Sequence, residues 1–207
     1  MFVEQVFWSV PSRLKDSSLQ LLGAQHRDMG SSGGLITSLL GFEEGCQDNL
    51  ISLSFWKSWE DLGRFLSGPK ANLLTASSET HRLERPHPHH FEIVWEWPGD
   101  EVDTISGSAH WAFHDFWSED GKFDRLIEDL RSVVIELSHK EGIVSAGIWL
   151  NKNAHTHLAL ATQWREDSPP TKETLELPLK AEELNVKESR VGVFKLSQTD
   201  SFHAQAR

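Results

Sequence analysis

The chain contains no tyrosine, a single cysteine (Cys46), no basic tract and no long apolar run. Each absence narrows what the protein can be. A lone cysteine excludes an intrachain disulfide and a cysteine-built metal site, and it suits a reducing, cytoplasmic setting. Nothing approaches the roughly 18–20 apolar residues of a membrane-crossing helix. The first residues lack the basic region and apolar core of a secretory leader. The net charge is -11, with no Lys/Arg cluster to set against it. Nucleic acid, whose binding rests on contacts to phosphates, is therefore not an expected partner. The acidity serves solubility; the expected partner, a hydrophobic small molecule, follows from the pocket that the repeated topology of the chain can enclose.

Against the missing tyrosines stand nine tryptophans. Tryptophan offers wide apolar faces with one N–H donor, which suits a deep core or an aromatic pocket for a flat ligand. Core packing is the more frequent use.

The order of elements repeats. Phe2–Val10 reads as a strand ended by Pro11, which cannot continue a central ladder. Ser12 is placed to cap a helix whose apolar stripe includes Leu14, Leu19, Leu21 and Leu22. Gly30–Gly34 is a loop, Leu35–Phe42 a strand, Gly45–Asn49 a hairpin turn and Leu50–Trp56 the next strand. Ser58-Trp59-Glu60-Asp61 matches a capping box before Leu62, Phe65 and Leu66. His89–Trp97 closes the cycle as a strand, with Phe91, Ile93, Trp95 and Trp97 expected on one face and Glu92 and Glu96 on the other.

The second cycle opens at Ala109-His110-Trp111-Ala112-Phe113-His114-Asp115-Phe116-Trp117. A long helix follows, with Phe123, Leu126, Ile127, Leu130, Val133, Val134 and Leu137 at helical spacing. Ile143–Leu150 and His157–Trp164 make a hairpin around Asn151–Ala154. A weak helix starting near Ser168 and a strand over Arg190–Leu196 complete it.

These patterns predict an α+β chain of two ferredoxin-like βαββαβ repeats. The expected organisation is a first repeat at 1–98, a linker at 99–107, a second repeat at 108–197 and a tail at 198–207. Several strands are apolar on both faces, so each sheet needs cover on both sides. The second repeat can cover the first, giving an intramolecular, pseudo-dimeric α+β barrel with a ligand pocket where the halves meet. Such a chain is expected to act as a monomeric pseudo-dimer or to form a homodimer.

The segment Asn49-Leu50-Ile51-Ser52-Leu53-Ser54-Phe55-Trp56-Lys57-Ser58-Trp59-Glu60-Asp61-Leu62-Gly63-Arg64-Phe65-Leu66, with Gly34–Leu40 before it, resembles the antibiotic-biosynthesis-monooxygenase-like domain of the dimeric α+β barrel superfamily. The match covers about residues 33–68; the remainder agrees in topology. The resemblance implies a small-molecule enzyme such as a cofactor-free oxygenase acting on aromatic polyketides. The haem-degrading branch fits poorly. It wants a tryptophan where Phe65 stands and a histidine where Leu74, Thr75 and Ala76 stand. The histidine that many members carry after the helix is replaced by Lys70.

Strand alternation supplies the candidate site. His110 and His114 share one face of a strand, and His157 lies on the strand expected to pair with it. Glu92 is a further polar candidate. A histidine of near-neutral pKa can act as general base on an activated phenol or a 1,3-dicarbonyl carbon. The carbanion can then meet O₂ or close a ring. His114 is the expected base, His110, His157 and Glu92 its helpers, and Trp95, Trp111 and Trp149 the walls for a planar substrate. No cofactor and no metal are expected. His110 and His114 are about 13 Å apart on a strand, too far to share an ion. The alternative function is a non-catalytic carrier of a hydrophobic ligand.

Overall fold

The computed structural model describes residues 1–69, 87–98, 109–118, 123–139, 142–176 and 186–198. The first repeat runs β1 (Phe2–Ser9), α1 (Lys15–Gly30), β2 (Leu35–Glu43), β3 (Cys46–Trp56), α2 (Trp59–Leu66) and β4 (His87–Trp97). The second runs β5 (Ala109–Ser118), α3 (Asp124–Ser138), β6 (Ile143–Asn151), β7 (His157–Trp164), α4 (Lys172–Leu175) and β8 (Val186–Gln198). The chain is thus α+β, with βαββαβ written twice, and its strands follow the order β1-β3-β2-β8-β5-β7-β6-β4 of a closed barrel. The expected linker at 99–107 lies outside the described residues, as does nearly all of the tail expected at 198–207.

Packing divides the chain into two units. Unit 1 takes Met1–His90 and the chain from Leu196 on, and unit 2 takes Phe91–Lys195. Both divisions fall inside strands, β4 and β8.

In unit 1, β3 is the middle strand, antiparallel to β1 and β2, with Phe2 opposite Trp56, Glu4 opposite Ser54 and Leu39 opposite Leu53. The pleat sends alternate residues to opposite faces. Val10, Leu22, Leu40 and Leu50 pack under α1, and Met29, Trp56, Leu62 and Phe65 pack between the sheet and α2. Val3, Gln5, Ile51, Leu53 and Phe55 occupy the other face and are also buried.

Local signals explain the helix starts. Ser58 caps α2 as expected: its hydroxyl accepts from the Asp61 N–H at 3.0 Å and donates to the Asp61 carboxylate at 2.8 Å. Gly34 precedes β2 at φ 93°, where an L side chain is strained. Any Cβ there would also collide with Asp61. Ser12 does not cap α1. Its hydroxyl donates to Asp48, and a 3₁₀ turn over Ser12–Leu14 leads into the helix instead. The hairpin turn is also tighter than expected, with β3 starting at Cys46, because Gly45 at φ 77° reverses the chain directly.

In unit 2, β7 is central, antiparallel to β5 and β6, and β4 flanks β6. Phe116, Ile148, Leu158 and Leu160 pack under α3 against Leu126, Leu130 and Val134. The expected single face for Phe91, Ile93, Trp95 and Trp97 is not what forms. The β4–β6 register shifts between Ile93 and Trp95. A bulge adds one residue, so side chains beyond it change face. Phe91 and Ile93 lie opposite Asn151 and Trp149, whereas Trp95 and Trp97 join the core under α3.

Candidate functional site

The richest polar arrangement lies in unit 2, on the sheet face turned away from α3. Register decides its membership. Because Trp117 sits opposite His157 and Asp115 opposite Ala159, the odd-numbered residues of β5 and β7 share that face. His157 comes from the start of β7, and its Nε2 is 2.9 Å from Asp115 Oδ1. Its Nδ1 is 3.0 Å from Asn151 Nδ2, at the end of β6.

The turn between β6 and β7 fixes this geometry. Asn151 Oδ1 accepts from the backbone N–H groups of Asn153 at 2.8 Å and Ala154 at 3.0 Å. An Asx-type turn of this kind orients the amide. With Oδ1 committed to two donors, it is the NH₂ group that meets His157, so Nδ1 accepts and the ring proton sits on Nε2. The imidazole therefore donates to Asp115. The backbone N–H of His157 closes the turn on the Ala154 carbonyl at 2.9 Å.

Aromatic rings enclose the group. Trp117 stacks on His157 with centroids 4.2 Å apart and planes 3° from parallel. Phe91 meets the same imidazole edge-on at 5.3 Å. Beyond them Trp111, Phe113, Trp149 and Phe194 touch in sequence, with centroids 5.7–6.4 Å apart. Gly147 makes room for this cluster: a Cβ there would come within 2.6 Å of the Trp149 Nε1. His157 and Asn151 are 2% exposed and Asp115 8%, whereas Trp117 is 38% exposed. The layer thus runs from a solvent-facing indole through an oriented His–Asp pair to a buried aromatic wall.

The structure brings together His157, Trp111 and Trp149 among the residues expected from sequence. His114 and His110 lie on the opposite face. His114 stacks beside Phe116 at 6.5 Å, and Phe116 belongs to the core under α3. His110 Nε2 meets the Glu166 carbonyl at 3.1 Å. His157 was expected to join them across the β5–β7 pair; the strands do pair, but the register gives it to the other face. Trp95 stands under α3 with Arg131 over its ring at 5.9 Å. Glu92 is paired with Lys152 at 2.8 Å in a part-exposed bridge. Glu96, half-buried beyond the bulge, has its carboxyl pushed up by burial.

Asn151 and Asp115 are the members that sequence reasoning missed as site residues. Asn151 was read only as part of the hairpin turn, and Asp115 only as a position in the strand that opens the second cycle. The legible signal was an Asn opening a short turn with a His six residues on, which a hairpin sets side by side.

A smaller polar group occupies unit 1 on its helix side. Glu4 accepts from the Ser54 hydroxyl at 3.2 Å, Ser54 accepts from the Trp56 indole N–H at 2.8 Å, and His90 lies 3.5 Å from the Glu4 carboxylate. Among the described residues, no group of three or more His, Cys, Asp or Glu is placed to hold a metal ion. No helix among them is long and apolar enough to cross a membrane.

The architecture is an α+β fold of two βαββαβ repeats with the strand order of a closed barrel, and solved structures share the fold. An anthrone oxidase-like protein aligns with 100% of this chain and 96% of its own length, at 13% identity and a TM-score of 0.71. A candidate monooxygenase from Fusobacterium nucleatum subsp. nucleatum covers 96% of this chain and 92% of its own, at 9% identity and a TM-score of 0.64. A candidate monooxygenase from Lactobacillus acidophilus covers 96% and 94%, at 6% identity and a TM-score of 0.63. At such identities the likeness is one of fold. The α+β fold of two repeats expected from the sequence is upheld at that level. No protein-family model matches the sequence, and no curated protein matches it significantly.

Proposed function

We propose that the protein is a small-molecule enzyme, a cofactor-independent oxygenase or cyclase acting on a planar, largely apolar substrate of the polyketide kind. One observation carries this reading. A buried carboxylate, Asp115, is held by an oriented imidazole beside a wall of aromatic rings. The naming of a structural neighbour as anthrone oxidase-like agrees with it in kind.

In this reading the proton is handled by the Asp115–His157 pair. Asp115 takes it from a C–H group flanked by a carbonyl, and His157 Nε2–H fixes the carboxylate. Trp111 and Trp149 face the flat substrate. The electron pair left on carbon adds to O₂, and the resulting peroxide loses water, so one CH₂ and one O₂ become one C=O and one H₂O. Attack on a second carbonyl instead closes a ring. His114, the base expected from alternation, becomes the alternative proton acceptor, with His110 and Glu92 as more distant helpers. The single cysteine accords with a cytoplasmic setting.

The test is oxygen uptake with 1,8-dihydroxyanthrone, corrected for its spontaneous oxidation. Turnover is expected to survive EDTA and to need no added flavin or nicotinamide. Asp115→Asn is expected to lower it by about 100-fold or more, the usual worth of a positioned base, and His114→Ala to leave most of it. Loss in His114→Ala with retention in Asp115→Asn would move the proton to the α3 side of the sheet. A second reading, a non-catalytic carrier, is favoured by one fact: both nitrogens of His157 are already engaged. Binding without turnover in the wild type would select it.

A further inference from the structure

The two repeats carry ladders that can be compared position by position. In unit 1, β1 pairs with β3 from Phe2 opposite Trp56 to Ser9 opposite Asn49. In unit 2, β5 pairs with β7 from His110 opposite Trp164 to Trp117 opposite His157. Each ladder has a tryptophan at one end whose indole N–H donates to a hydroxyl two residues back, Trp56 to Ser54 and Trp164 to Thr162. With the ladders matched at that bond, Ser9, Phe7 and Asn49 stand where unit 2 has Trp117, Asp115 and His157. A repeat therefore forms this ladder with no indole, carboxylate or imidazole at those places, and the fold does not account for the three.

Trp117 is the outermost of them. Its indole lies parallel to the His157 imidazole, with centroids 4.2 Å apart and planes 3° from parallel. The indole is 38% exposed, over a ring that is 2% exposed. A flat bicyclic group thus rests on the imidazole with water on its outer side. We propose that the Trp117 indole is a built-in occupant of a ring-binding position on His157, and that a flat aromatic molecule of two or more fused rings displaces it and stacks there in its place. A ring in that position lies beside Asp115, two residues along the same face of β5. The ligand is neutral, because an anionic ring would meet the Asp115 carboxylate. The inference rests on the Asp115–His157 pair as the place of the site, and adds how the plane of the substrate is recognised and what guards it.

A side chain that competes with a ligand weakens it, whereas a side chain that forms a wall strengthens it, so the two roles give opposite signs. The experiment is calorimetric binding of 2-naphthol, a flat bicyclic, and of decahydro-2-naphthol, a puckered molecule of similar size, in the absence of any reaction. Trp117→Ser, which installs the residue of the first repeat, is expected to bind 2-naphthol about three- to tenfold tighter than the wild type, the worth of one aromatic pair no longer in competition. Decahydro-2-naphthol is expected to gain little. Trp117→Leu, which also removes the stack, repeats the test should the serine variant fold poorly. In the wild type, the Trp117 indole N–H signal, identified by its loss in the variants, is expected to shift in proton–nitrogen correlation spectra as 2-naphthol is added. Equal or weaker 2-naphthol binding in both variants, or wild-type binding that leaves that signal in place, would overturn the proposal. Tighter binding in the variants with no turnover in any of the proteins would remove the proposed reaction and keep the ring-binding position. Turnover in the wild type with weaker binding in both variants would do the reverse.

Discussion

Acidification tests the packing of unit 1 directly. His26 lies on the buried side of α1, 5% exposed, and burial lowers its pKa from 6.5 to about 4. In the unfolded chain it takes up a proton near pH 6.5, while the folded protein refuses one until about pH 4. Between these values the unfolded state binds more protons, so the free energy of unfolding rises with pH. The slope from this residue reaches about 1.4 kcal/mol per pH unit, and the whole interval is worth about 3 kcal/mol. That stability is fully present above pH 6.5 and fully lost below about pH 4. The perturbation is His26→Leu, which removes the titration while keeping the site filled. The assay is urea unfolding of both proteins at half-unit steps from pH 7.5 downward. The variant carries its own packing penalty, so the quantity read is the change of the stability difference with pH. The wild type is expected to lose about 3 kcal/mol more than the variant across the window. Parallel profiles would refute the reasoning. Glu96→Gln is the control of opposite sign. Burial holds the Glu96 carboxyl above its usual range, so its contribution is present at low pH and fades as pH rises through the folded value. Removing it is expected to favour the variant at neutral pH.

Two further predictions concern turns, one beside the candidate site and one at the start of β2. Asn151→Ala removes the bond to His157 and the two backbone bonds that Asn151 accepts; at about 1 kcal/mol each this is expected to cost about 3 kcal/mol in chemical denaturation. It is also expected to weaken turnover, as His157 loses the partner that sets its tautomer. Gly34→Ala forces an L side chain to φ 93° and into Asp61; it is expected to destabilise by about 1–3 kcal/mol, measured by thermal melting. Little change there would mean that the Ser58–Asp61 cap can shift without cost.

Much of the fold was legible. The long apolar stripe from Phe123 to Leu137, the Ser58 cap and the two alternating hairpins each rest on contacts within a few residues, and the βαββαβ order follows from them. The misreadings all lie where a distant partner intervened. Ser12 looked like a cap until Asp48, remote in sequence, took its hydroxyl. Trp95 seemed to share a face with Phe91 until a bulge against β6 turned it. Alternation along β5 correctly put His110 and His114 together, but nothing in β5 itself states which face of β7 they meet.

The sequence by itself determined the elements, their repeated order, the apolar stripes and the turn chemistry of Asn151, because these follow from local sterics and the periodicities of helix and strand. Only the tertiary structure decided that Asp115, His157 and Asn151 converge, that His114 turns toward α3 and that the Gln5 amide is buried with no hydrogen-bond partner among the described residues. The physical reason is register. A strand repeats every two residues, so a slip of one position against a neighbour exchanges its faces, and register is set by pairing with residues far along the chain.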